Sequence, residues 1–141
     1  MHRPRRAIAF VATIVLTALM WTDSPTRWWS SILEFLRETN TKVTSSVLEA
    51  RPGGDLDLHF ALWAVVSCSW WWALRTTRSV MKALSILIVW ASVVETLQPA
   101  FTTIRERQGS DYLGNALGIG LVCVAVLVRR RYADGPMSPA T

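Results

Sequence analysis

Residues 95–118 read ETLQPAFTTIRERQGSDYLGNALG. The stretch joins two apolar runs, 80–97 and 112–128, and its reading decides the fold. On either side, 86–94 (ILIVWASVV) and 117–128 (LGIGLVCVAVLV) have almost no polar face. A helix of a soluble bundle needs such a face, whereas a membrane-spanning helix does not. The connection itself is rich in acid, amide and arginine. Polar groups at helical spacing against hydrocarbon-length segments are expensive unless they are paired or serve a site.

Two more apolar runs lie upstream. Residues 58–74 end in Trp70-Trp71-Trp72 and Arg75, an aromatic belt followed by a cationic stop. Residues 7–21 follow Arg3, Arg5 and Arg6, which fits a cleaved leader or a retained first span. The lack of a small-x-small cleavage site favours the span. Between them, Ser24-Pro25 marks a helix start, and Trp28, Ile32, Phe35 and Leu36 recur at helical spacing. The expected fold is all-α: one domain over 1–131, with transmembrane helices at about 7–21, 58–74, 80–97 and 112–128. An amphipathic helix over 25–38 would lie in the outer interface. The Gly- and Pro-containing tail, 132–141, reads as disordered.

The chain has 141 residues, a formal net charge of +5 and eight tryptophans. The charge does not indicate nucleic acid, because the basic residues flank the apolar runs, where they orient helices. Grouping both termini with the 75–82 turn puts nine basic residues (Arg3, Arg5, Arg6, Arg75, Arg78, Lys82, Arg129, Arg130, Arg131) on one side, against the acid Asp134. The other side holds six basic residues and nine acids. The positive-inside rule then predicts a multi-pass protein with both termini cytoplasmic and residues 95–118 facing outward. Cys68 and Cys123 fall within spans and read as buried, inert thiols.

Three spans carry a polar stripe at their outer ends. Asp55 and His59 are four apart, Glu95 and Gln98 three apart, and Asp111, Asn115 and Gly118 lie at i, i+4 and i+7. At about 1.5 Å per residue these groups share one depth. His59, oriented by Asp55, is the candidate for proton transfer, with Glu95 or Asp111 as a second acid–base group. Gln98, Arg105, Asp111 and Asn115 are candidate ligand-binding residues. The structural alternative is an ion-pair and amide network that holds the helix ends together. Gly114 and Gly118, with Gly120 beyond, read as a close helix-crossing surface. Ser85 and Ser92 read as interhelical hydrogen bonds. A site with one imidazole does not suggest a transition metal, and no cofactor is implied; a divalent cation held by acids stays open.

These residues resemble the VanZ-like family of bacterial four-helix membrane proteins. One family block has Asp with His four residues on and an aromatic after it, matched by Asp55, His59 and Phe60. The other runs Glu-x-x-Gln, Arg, then Asp-x-x-x-Asn-x-x-Gly, matched by Glu95, Gln98, Arg105, Asp111, Asn115 and Gly118. Leu56 replaces the family's customary Lys, and Arg107 competes with Arg105 for the arginine position. The resemblance implies a bacterial cytoplasmic-membrane protein of the cell envelope, in a family linked to glycopeptide resistance. Three functions follow as expectations. The outward site binds a membrane lipid, a lipid-linked envelope precursor or a lipid-tailed drug; or it is an enzyme using His59 on such a substrate; or the chain is a non-catalytic membrane scaffold.

Overall fold

The computed structural model describes residues 3–39, 56–74, 76–102 and 109–133. Among them every regular element is helical: α1 (Arg3–Met20), α2 (Ser24–Thr39), α3 (Leu56–Ala73), α4 (Thr77–Leu97), a 3₁₀ turn (Gln98–Ala100) and α5 (Gly109–Ala133). Asp55, Arg105 and Arg107 lie outside the described residues.

Helix boundaries follow from local chemistry. Thr76 caps α4, its hydroxyl accepting the Ser79 N–H at 3.2 Å. Pro99 cannot continue the ladder, so α4 tightens into the 3₁₀ turn. Two boundaries differ from expectation. Helix α1 begins at Arg3 rather than near residue 7, and α5 runs through Arg129–Arg131 to Ala133, two residues into the expected tail. Arginine is a good helix former whose stem packs along apolar surface, so a charged flank extends a helix. At the end of α5 the positive charge also complements the helix dipole.

Side-chain contacts fix the topology. Helix α3 packs most extensively on α5, α5 also on α4, and α1 on α3. Arg5 stands over the Trp72 ring and Arg129 over the Trp71 ring. The start of α1, the end of α3 and the end of α5 therefore share one end of the bundle. At the opposite end, the Gln98 amide donates to the Met20 carbonyl at 2.7 Å and the Trp21 indole to the Val94 carbonyl at 3.3 Å. Trp21 stacks on Phe101 with ring centroids 4.6 Å apart. Between the ends, Met20, Trp63, Val66, Leu84, Ile119 and Val122 belong to one continuous core. Indole donors tie α1 to its neighbours: Trp70 to Thr13 at 3.0 Å and Trp90 to Thr17 at 2.9 Å.

Among the described residues, two helices are long and apolar enough to cross a membrane, Thr77–Ala100 and Gly109–Tyr132. Helix α1 opens on three arginines, and α3 carries Asp57 and His59 in its first turn and four tryptophans beyond. Large apolar side chains are exposed on all four, among them Phe10 (58%), Val65 (64%), Ile86 (68%) and Val124 (58%). On α2, Trp28, Ile32 and Phe35 are exposed as well.

Three packing expectations are corrected. Ser85 and Ser92 are exposed and bond back to the Met81 and Ile88 carbonyls of their own helix, as serines do when no neighbour is in reach. Cys68 is exposed on the helix surface, while Cys123 is half-buried with its Sγ 3.8 Å from Met81 Sδ; both thiols are free. Gly120 faces open space. The close crossing is confined to Gly114 and Gly118. An added Cβ at Gly114 would collide with the Leu56 carbonyl and come within 3.0 Å of His59 Cβ. At Gly118 it would collide with the Phe60 carbonyl and come within 3.0 Å of the Ala64 nitrogen.

Candidate functional site

The glycine crossing puts α3 and α5 backbone to backbone, and this sets the site. His59, one turn into α3, is carried against the first two turns of α5. Its Nδ1 lies 2.8 Å from Asn115 Oδ1 and 3.4 Å from Glu95 Oε2 on α4, and its Nε2 lies 3.8 Å from Asp111 Oδ2. His59 and Glu95 are 1% exposed, and Asp111 and Asn115 4%. Gln98 is also buried, its amide nitrogen on the α1 carbonyl of Met20. Three helices and the turn after α4 thus deliver the five described candidates to one end of the bundle. The remaining candidates, Asp55 and Arg105, lie outside the described residues.

The two carboxylates sit differently with respect to their helices. Asp111 lies in the first turn of α5, where the N-terminal dipole favours a negative charge. Ser110 Oγ also donates to its Oδ1 at 3.2 Å. Glu95 lies in the last turn of α4, where the dipole opposes an anion. His59 Nδ1 approaches this carboxylate at 3.4 Å. Nearby, Thr96 Oγ1 and Tyr112 OH lie 3.0 Å apart and tie α4 to α5.

The geometry defines the chemistry of the ring. Asn115 offers a carbonyl oxygen, so the hydrogen bond assigns a proton to Nδ1 of His59. That leaves Nε2 facing Asp111. At 3.8 Å this approach is longer than a hydrogen bond. The site is therefore an imidazole held from its Nδ1 side, with a carboxylate facing its other nitrogen. The ligand atoms of His59, Glu95 and Asp111 lie within 4.8 Å of one another. The carboxylates, however, flank different ring nitrogens. One ion bound to His59 would have to draw one of them around the ring.

The buried polar atoms of Trp63 and Ser67 escape the sequence reading. Trp63 and Ser67 continue the His59 face of α3 at four-residue steps, and among the described residues neither Trp63 Nε1 nor Ser67 Oγ has a hydrogen-bond partner. Only their i+4 spacing from His59 signals them, and that spacing equally describes core residues.

No protein-family model, curated protein or solved structure matches this chain.

Proposed function

We propose that the chain is a multi-pass protein of the bacterial cytoplasmic membrane, with four spans, both termini cytoplasmic and an outward-facing polar site for the headgroup of an amphiphile. The class of ligand is a membrane lipid, a lipid-linked envelope precursor or a lipid-tailed glycopeptide. The observation that carries this reading is His59 buried between Glu95 and Asp111 at one end of an otherwise apolar bundle. Ionisable groups at such a depth mark sites in membrane proteins more often than they stabilise them. Support for four spans comes from the exposed apolar side chains on α1 and α3 as well as on α4 and α5. A water-facing surface does not carry so large a continuous apolar area. The order of motif residues shared with the VanZ-like family belongs to the same proposal, as does a role in envelope function.

The headgroup would be read by groups already converged on the ring, the Asn115 amide and the carboxylates of Glu95 and Asp111; Arg105 is the proposed partner of an anionic group. Because the ring and acids are closed to solvent, binding requires a neighbouring group to move aside. A second reading, an acid–base enzyme on the same substrate class, is favoured by one feature. The Asn115 bond holds His59 from the Nδ1 side and leaves Nε2 directed at Asp111.

The test is native mass spectrometry of gently purified full-length protein. A retained amphiphile lost on His59→Ala and on Arg105→Ala supports the site. If His59→Ala, Glu95→Gln and Asp111→Asn all fold and none changes what is retained, the proposal fails. Orientation is tested separately, on a background lacking Cys68 and Cys123. An impermeant thiol reagent applied to intact cells should label a cysteine at Ser110 and spare one at Ser79; the reverse pattern would invert the topology.

A further inference from the structure

The opposite end of the bundle holds a cavity of about 550 Å³, lined by Arg5, Arg129, Arg130, Trp71, Trp72 and Thr77. That is within the roughly 300–1,000 Å³ usual for small-ligand sites. Charge bias alone explains why arginines gather at one end of a membrane bundle. It does not explain why arginines from α1 and α5 line the same walled space. Nor does it explain why two of them are held over indole faces, Arg5 at 4.9 Å from the Trp72 centroid and Arg129 at 5.8 Å from that of Trp71. Stacking fixes a guanidinium plane and leaves its N–H edge free to donate. Among the described residues no carboxylate lies within ion-pair distance of Arg5 or Arg129. The N-cap and first residue of α4, Thr76 and Thr77, also line the cavity. The positive end of that 21-residue helix therefore adds to the field of the arginines.

We infer that this cavity binds a phosphate-bearing anion, and that the source of the phosphate is the headgroup of an anionic phospholipid. Fixed guanidinium forks, a helix N-terminus and the Thr77 hydroxyl together match tetrahedral phosphate oxygens, the Thr76 hydroxyl being engaged with Ser79. Tryptophans at the headgroup level suit the glycerol and first methylenes beneath. Basic pockets between helices on the cytoplasmic side are where such headgroups are held. The site is independent of His59 and its acids, which lie at the other end.

The experiment places the full chain in phosphatidylcholine nanodiscs, titrates phosphatidylglycerol, and reads bound lipid by native mass spectrometry after release. The wild type should retain phosphatidylglycerol in preference to phosphatidylcholine. Arg5→Gln and Arg129→Gln should each weaken retention about fivefold. Arg78→Gln and Arg131→Gln, which remove the same charge outside the cavity, should leave retention unchanged. Arg129→Lys should recover part of the loss, which separates binding from folding. Cys68 also lines the cavity, so its alkylation should slow on adding phosphatidylglycerol. Inorganic phosphate in place of the lipid distinguishes the sources. Protection of Cys68 by phosphate alone, at concentrations where the lipid adds nothing, would overturn the lipid headgroup as occupant. Equal losses for Arg78→Gln and Arg129→Gln would reduce the effect to net charge and overturn the site. Retention that falls with His59→Ala but not with the cavity arginines would place the lipid at the other end and overturn it equally.

Discussion

At one end of the bundle His59, Glu95 and Asp111 are buried and grouped around one imidazole; at the other, Arg5 and Arg129 are exposed and lie over the faces of Trp72 and Trp71. Both ends carry charge, but they carry it in different media. The acids have exchanged water for one another, so each depends on the presence of the rest. The arginines keep water and need only an aromatic surface to lean on. A site that must hold a proton in a fixed place suits the first arrangement. A site that must admit an anion suits the second.

The sharpest way to break the comparison is to remove the centre of the buried cluster. His59→Ala leaves Glu95 and Asp111 facing each other without the imidazole, and should destabilise the protein by about 3–5 kcal/mol in detergent unfolding. Glu95→Gln with Asp111→Asn in the same background should restore part of that loss, because the two buried charges that faced the imidazole are gone. If the single variant is neutral, the acids are not held by His59 and the two ends do not differ in kind.

Next in size is the crossing that assembles the cluster. Gly118→Ala pushes a methyl into the Phe60 carbonyl, and should cost about 1–3 kcal/mol. Because the shift separates α3 from α5, it should also loosen the Nδ1 contact to Asn115, visible as a change in the His59 imidazole resonances. Gly120→Ala, which meets nothing within 4 Å, is the matched control and should be neutral or better. Equal effects at both glycines would detach the site from the crossing.

Gln98→Ala removes the 2.7 Å bond to the Met20 carbonyl and should cost about 1 kcal/mol in the same unfolding measurement. Its larger interest is where the loss appears. The link joins α1 to the turn after α4, so faster amide exchange at the end of α1, with His59 unchanged, would mark Gln98 as a strut. Loss of the retained amphiphile without a change in exchange would mark it as a ligand contact.

How much of this was legible in the sequence differs between the ends. The polar one was readable because i+3 and i+4 spacings on three helices predict faces, and antiparallel neighbours with short connections bring faces to one depth. His59, Glu95, Asp111 and Asn115 needed nothing more. Their pairing did need coordinates. Spacing places Asn115 and Glu95 near His59, but not both toward Nδ1, since that depends on how closely α3 approaches α5. The glycine pattern does not extend to Gly120, because a residue two positions beyond Gly118 lies about 200° around the helix and faces away from the partner. Ser85 and Ser92 share a helix face with Glu95, yet that face turns outward a turn or two further down. The arginine end was read only as a topology signal. Arg5 and Trp72 are 67 positions apart in the chain, and no local pattern reveals that contact.

The smallest effect expected on stability is at these arginines, and it is the one that most tightens the contrast. Each lies exposed at the end of its helix, with its charge in water and its plane on an indole. Arg5→Gln and Arg129→Gln should therefore leave the unfolding midpoint in detergent within scatter, while changing the response to anionic lipid. Added phosphatidylglycerol should raise the wild-type midpoint through binding to the folded state, and raise that of the variants less. Should either variant unfold as readily as Gln98→Ala without lipid present, its guanidinium is part of the packing. The two ends would then differ in degree of burial and not in the use to which their charge is put.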